Sequence, residues 1–214
     1  MDNNLIIISI FEFVVLILSA VVHEVSHGYE ADRLGDDTAR RAGRLTLNPL
    51  KHMDFFGSFL MPLFLLFASN GSFFFAYAKP VPYDPRNLKN PRTGSAKIAL
   101  AGPLSNFAIA FIFGIVIRFL SPLSVSPFFL ELLAIIVYLN IMLAVFNLIP
   151  IPPLDGSRIL FSALPQTFKM FRLEMFLEKY GMFIVLFFVF FCFQLIIPII
   201  NWIFFIFTGA NFGF

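Results

Sequence analysis

The apolar run LIIISIFEFVVLILSAVV, residues 5–22, passes without interruption into His23-Glu24-Val25-Ser26-His27. About 18 mostly apolar residues in a row make a membrane helix and little else. Positions i and i+4 share a helix face, so His23 and His27 stand side by side with Glu24 next to them. Two imidazoles and a carboxylate in that pattern suit two metal ligands and a general base. A helix end whose polar groups merely reach the interface is the plainer reading, but ionisable groups at membrane depth are costly and usually functional. The run lacks a basic n-region and a small-residue cleavage site and leads straight into the histidines, so it reads as a retained helix and not a signal peptide.

Composition agrees. A chain of 214 residues that is 59% hydrophobic and 13% charged, with mean hydropathy +0.87, is not a soluble globular domain. No long polar stretch is available for a second unit, so residues 1–214 are expected to form a single membrane-embedded domain. The net charge of +2 and the lack of a basic run argue against nucleic acid as a partner. The lone Cys192, inside an apolar run, excludes an internal disulfide and a thiolate metal site.

Four stretches reach the roughly 20 residues a span needs: 5–34, 95–120, 127–149 and 180–207, the last with a break expected at Pro198. Residues 55–78 lack charge, but Pro62 and the turn Ser69-Asn70-Gly71-Ser72 divide them. Basic residues cluster at Arg33, Arg40, Arg41, Arg44 and Lys51, again from Lys79 to Lys97, and again at Arg158, Lys169, Arg172 and Lys179. The connection 121–126 has none. The positive-inside rule makes the three basic groups cytoplasmic, so 55–78 must enter and return. The expected fold class is an all-α polytopic membrane protein with about four transmembrane helices plus a re-entrant helix/extended segment around residues 55–78. Non-helical backbone at that depth survives only where it lines a protein cavity.

A catalytic zinc site needs a third protein ligand and one open position. His52, the only other histidine, sits in a basic loop and reads as a loop residue. Glu174 and Glu178 lie on an amphipathic basic stretch. Asp155 follows Asn147-Leu148-Ile149-Pro150-Ile151-Pro152-Pro153-Leu154, directly after a span. Topology favours Asp155: if 55–78 re-enters, the spans ending at His27 and at Ile149 both run outside to inside. The prolines break the helix there, and Gly156 permits close approach. A solvated Asp in a proline-rich exit loop is the competing reading.

These motifs, with Ala101-Gly102-Pro103-Leu104-Ser105-Asn106 between them, resemble the site-2 proteases, a family of intramembrane zinc metalloproteases. Leu45-Thr46-Leu47-Asn48-Pro49-Leu50 and Lys79-Pro80-Val81-Pro82 are similar to a compact bacterial or archaeal branch, and no PDZ-like or CBS-like domain fits in this length. The resemblance implies one zinc ion per chain on His23, His27 and Asp155, Glu24 as catalytic base, and Asn147 in contact with substrate or oxyanion. It implies cleavage of a transmembrane protein substrate within the lipid bilayer of a cell membrane, and the positive-inside topology puts the active site towards the cytoplasmic side. The subunit count stays open. Asn106 reads as interhelical glue or a group that positions the site. Rival readings are an HExxH membrane protease using Glu174 as third ligand, a non-catalytic relative that binds membrane helices, and a metal transporter. The transporter would need further ligands along a path, and the spans show few.

Overall fold

The computed structural model describes residues 3–52, 80–123 and 125–211. The expected re-entrant segment at 55–78 lies outside them. Among the described residues every regular element is helical.

Helix α1 covers Asn3–Arg33, 31 residues. At about 1.5 Å per residue it is roughly 46 Å long, more than the ~30 Å hydrocarbon layer. A short helix α2, Thr38–Arg41, follows it. Helix α3, Pro91–Leu120, starts where its sequence dictates: the Asn90 side chain accepts the Thr93 N–H, and Pro91 fills the first position, where no N–H is needed. Helix α4, Pro127–Asn147, stops before Pro150, Pro152 and Pro153, none of which can extend it. Helix α5, Asp155–Ala163, and helix α6, Phe168–Phe187, follow the proline-rich break, with Thr167 capping α6 through the Met170 N–H. A π turn at Phe188–Cys192 and a 3-10 turn at Phe193–Leu195 separate α6 from α7, Ile197–Thr208.

Among the described residues, four helical stretches are long and apolar enough to cross a membrane: Leu5–Arg33, Pro91–Leu120, Pro127–Asn147 and Phe168–Leu195. The last begins earlier than its hydropathy suggests. The amphipathic stretch with Lys169, Arg172 and Lys179 is continuous with the span, and the chain breaks at 188–196, just ahead of Pro198.

Helix α3 is the hub, packing on α1, α4, α5 and α7. Ala110, Ile117, Leu133, Val137, Ile141, Ile196, Ile200 and Phe204 fill the space between α3, α4 and α7. Outward-facing Leu18, Phe119, Phe183, Phe191 and Trp202 leave an apolar exterior, as expected of a surface solvated by lipid. The hub position of α3 places its glycine–proline step against the histidines of α1.

Candidate metal centre

His23 and His27 leave α1 on one face, with ring centroids 4.6 Å apart and ring planes at 88°. Oδ2 of Asp155, the first residue of α5, lies 3.0 Å from Nε2 of His23 and 3.2 Å from Nε2 of His27. His23 and Asp155 are both buried. One donor atom from each of the three residues lies within 4.8 Å of the others, the one such group among the described residues. Asp155 reaches the histidines because α4 ends and the chain doubles back. A Cβ on Gly156 would collide with the Leu148 carbonyl and lie 2.6 Å from the Ile149 carbonyl oxygen, so only glycine lets α5 seat against the end of α4.

The opposite ring nitrogens are held. Nδ1 of His23 lies 2.7 Å from Oδ1 of Asn106, and Nδ1 of His27 lies 2.6 Å from the Ile98 carbonyl oxygen, both on α3. An Nδ1–H donated to each oxygen leaves the Nε2 lone pair of each ring facing Asp155, as a metal ligand requires. Asn106 is itself held: its Nδ2 donates to Oδ1 of Asn140 at 2.9 Å and to the Ser19 carbonyl at 3.3 Å. Asn140 in turn donates to the Ser19 hydroxyl and the Ile136 carbonyl, each at 2.9 Å. Asn106 thus both bridges helices and orients a candidate ligand.

The arrangement fits zinc on two counts. Two imidazoles and a carboxylate are a catalytic zinc donor set, and ligand atoms about 2.0–2.2 Å from a tetrahedral ion stand about 3.3–3.6 Å apart, a few tenths of an ångström beyond the 3.0 and 3.2 Å that separate Asp155 from the two imidazoles. Gly102 on α3 also leaves a cradle: a Cβ there would lie 2.5 Å from Nε2 of His27 and 2.6 Å from Nε2 of His23.

Glu24, half-buried, points its Oε2 at the Val81 N–H, 3.0 Å away. Asn147, the last residue of α4, donates through Nδ2 to the Leu143 carbonyl at 3.0 Å, a bond within its own helix end. The other candidates stand apart from the group. His52 is buried and bonded to the Thr46 carbonyl at 2.8 Å. Glu174 and Glu178 line a groove of about 1110 Å³ with Tyr83, Arg92 and Arg158. Reading the sequence alone missed Ser19, Asn140, Asp36 and Val81. The first two carried a signal, since polar side chains inside apolar spans call for partners.

The sequence profile of Peptidase family M50 matches residues 123–192. A Bacillus subtilis (strain 168) protein named as a candidate zinc metalloprotease, YwhC, is 38% identical over 187 residues, 81% of this chain and 78% of its own. A Mycolicibacterium smegmatis protein named in the same way, Rip2, is 32% identical over 141 residues, 65% of this chain and 52% of its own. Zinc metalloprotease MJ0392 of Methanocaldococcus jannaschii is 30% identical over 148 residues, 69% of this chain and 32% of its own. No solved structure gives a significant match. The chain belongs to peptidase family M50, the site-2 proteases. It is an integral membrane protein and a zinc metalloprotease.

Proposed function

We propose that this chain is an intramembrane endopeptidase that cuts transmembrane helices of membrane protein substrates, the chemistry of regulated intramembrane proteolysis. It acts as a single membrane-embedded domain in a bacterial or archaeal cell membrane. His23, His27 and Asp155 hold the zinc, and Glu24 is the catalytic base. The observation that carries this reading is the convergence of three donors from α1 and α5, two buried and His27 partly so, with the Glu24 carboxylate one residue along α1 from His23. Arg33 ends α1 and Arg40, Arg41 and Arg44 come soon after it, which supports a site towards the cytoplasmic side.

Zinc, when bound, supplies Lewis acidity and brings the pKa of a coordinated water to about 7. Glu24 takes the proton as water attacks the scissile carbonyl and then delivers it to the leaving nitrogen. Asn106 and the Ile98 carbonyl keep both imidazoles in the ligating tautomer. Asn147 leaves its Leu143 bond to donate to the oxyanion. A substrate helix has its carbonyls tied up in i to i−4 hydrogen bonds, so it must unwind locally, and small or helix-breaking residues near the cut favour cleavage.

Purified protein is tested on a helix-destabilised transmembrane substrate beside Glu24→Gln, with zinc measured in both. Cleavage by the wild type and none by the zinc-loaded variant is expected. Equal cleavage by both would remove Glu24 from the chemistry.

A further inference from the structure

The Glu24 carboxylate is tethered by a piece of chain remote in sequence. Val81, whose N–H it accepts, lies between Pro80 and Pro82, neither of which has a backbone N–H. Residues 80–82 therefore offer one amide donor, and Glu24 receives it. The Val81 side chain is seated on the same face of α1: a Cβ added to Gly28, one turn beyond Glu24, would meet Val81 Cγ1 at 2.8 Å. Contact of both backbone and side chain fixes Val81 over this part of α1.

The chain is fastened again three residues on. Asp36 is fully buried just past the end of α1. Its Oδ2 accepts the Asp84 N–H at 2.7 Å, and its Oδ1 accepts Nδ2 of Asn87 at 2.7 Å. The same Oδ1 accepts the Thr38 hydroxyl at 2.5 Å and the Thr38 N–H at 3.3 Å. Buried carboxylates persist only when hydrogen-bonded, and each of these donors is neutral. Leu88 then packs with Ala31 and Ile98, closing the far end.

We propose that residues 80–87 form a strap, fastened by Asp36, whose Val81 N–H holds the Glu24 carboxylate in the orientation that proton transfer requires. Val81 and Asp36 are positioning residues; the inference rests on Glu24 acting as the base. Tethering one carboxylate oxygen fixes the side-chain rotamer and leaves proton traffic to the other. Loosening the strap misplaces the base without touching the donors of the metal, so turnover falls while zinc and substrate binding remain.

Two variants of the full-length, zinc-loaded protein test this. Asp36→Asn keeps shape and volume but sets an amide donor against either Asp84 N–H or the Thr38 and Asn87 donors. Replacing Val81 by its α-hydroxy acid removes only the N–H that Glu24 accepts. Both should retain wild-type zinc content and KM and lose roughly ten- to a hundredfold in kcat, the scale expected of a misplaced catalytic group. Amide hydrogen exchange of residues 80–84, resolved by fragmentation, adds a readout independent of activity. Glu24→Ala should deprotect Val81, and Asp36→Asn should deprotect both Asp84 and Val81. Unchanged Val81 protection in both variants, or an unchanged kcat in the hydroxy-acid protein, overturns the proposal. If zinc-loaded Glu24→Gln cuts as fast as wild type while the exchange pattern holds, the strap stands and the assignment of Glu24 as base fails.

Discussion

Gly102 and His27 touch back to edge: a single added methyl on Gly102 would stand 2.5 Å from Nε2 of His27. Neither histidine can retreat, because the Ile98 carbonyl and Asn106 fix the far side of each ring. Gly102→Ala is therefore expected to lose zinc affinity by a factor of ten or more while the helix itself gains propensity. Elemental analysis after competition with a chelator measures this. Wild-type affinity in the alanine variant would show that α3 is not the wall of the cradle.

Asn106→Leu removes the acceptor for His23 and leaves Oδ1 of Asn140 without its donor. Partners of this kind are worth about 10- to 100-fold in metal affinity. The variant should fall in that range by zinc competition titration. Asn140→Leu, one step further out, should fall less.

The two carboxylate candidates separate cleanly. Asp155→Ala is expected to purify without zinc, and Glu174→Ala with one ion per chain, because Glu174 lies in the groove with Arg92 and Arg158 and not beside the histidines. The opposite pattern of zinc content would favour the rival ligand set.

Asp36 gives the fold an acid-sensitive joint. Burial pushes its carboxyl upward, but hydrogen bonds from Asn87, Thr38 and the Asp84 amide outweigh burial and bring its pKa below the ordinary 3.8. A group depressed in the folded state contributes stability that is full above its unfolded value and is lost as pH falls through the folded one. Thermal unfolding between pH 7 and pH 3 should show wild type losing more stability on acidification than Asp36→Asn, with the gap between them narrowing towards pH 3. Asp84, drawn down to about 2 by its bonds to Arg86, titrates in both proteins and cancels. Parallel curves would mean that Asp36 carries no net stabilisation.

The parts of this protein that were legible in advance are those written as local spacing. HEVSH is helical arithmetic within five residues, and the proline run before Asp155 announces a broken helix followed by a close turn at Gly156. The start of α6 was not legible, because Lys169, Arg172 and Lys179 lower the local hydropathy of a helix that nonetheless runs unbroken from Phe168 to Phe187. Asn106 declared itself as a polar group in an apolar helix, but its partners Ser19 and Asn140 are 87 and 34 residues away and meet it only through packing. Val81 could not be found at all by side-chain pattern, since what it contributes is a backbone amide.

The hydrogen-bonded chain from Ser19 through Asn140 and Asn106 to His23 draws on α1, α4 and α3, and Asp155 arrives from α5. No inserted but undocked helix carries a finished set of donors. A complete donor set for the metal thus awaits docking of α3, α4 and α5 on α1, and a partly assembled chain is expected to hold no zinc.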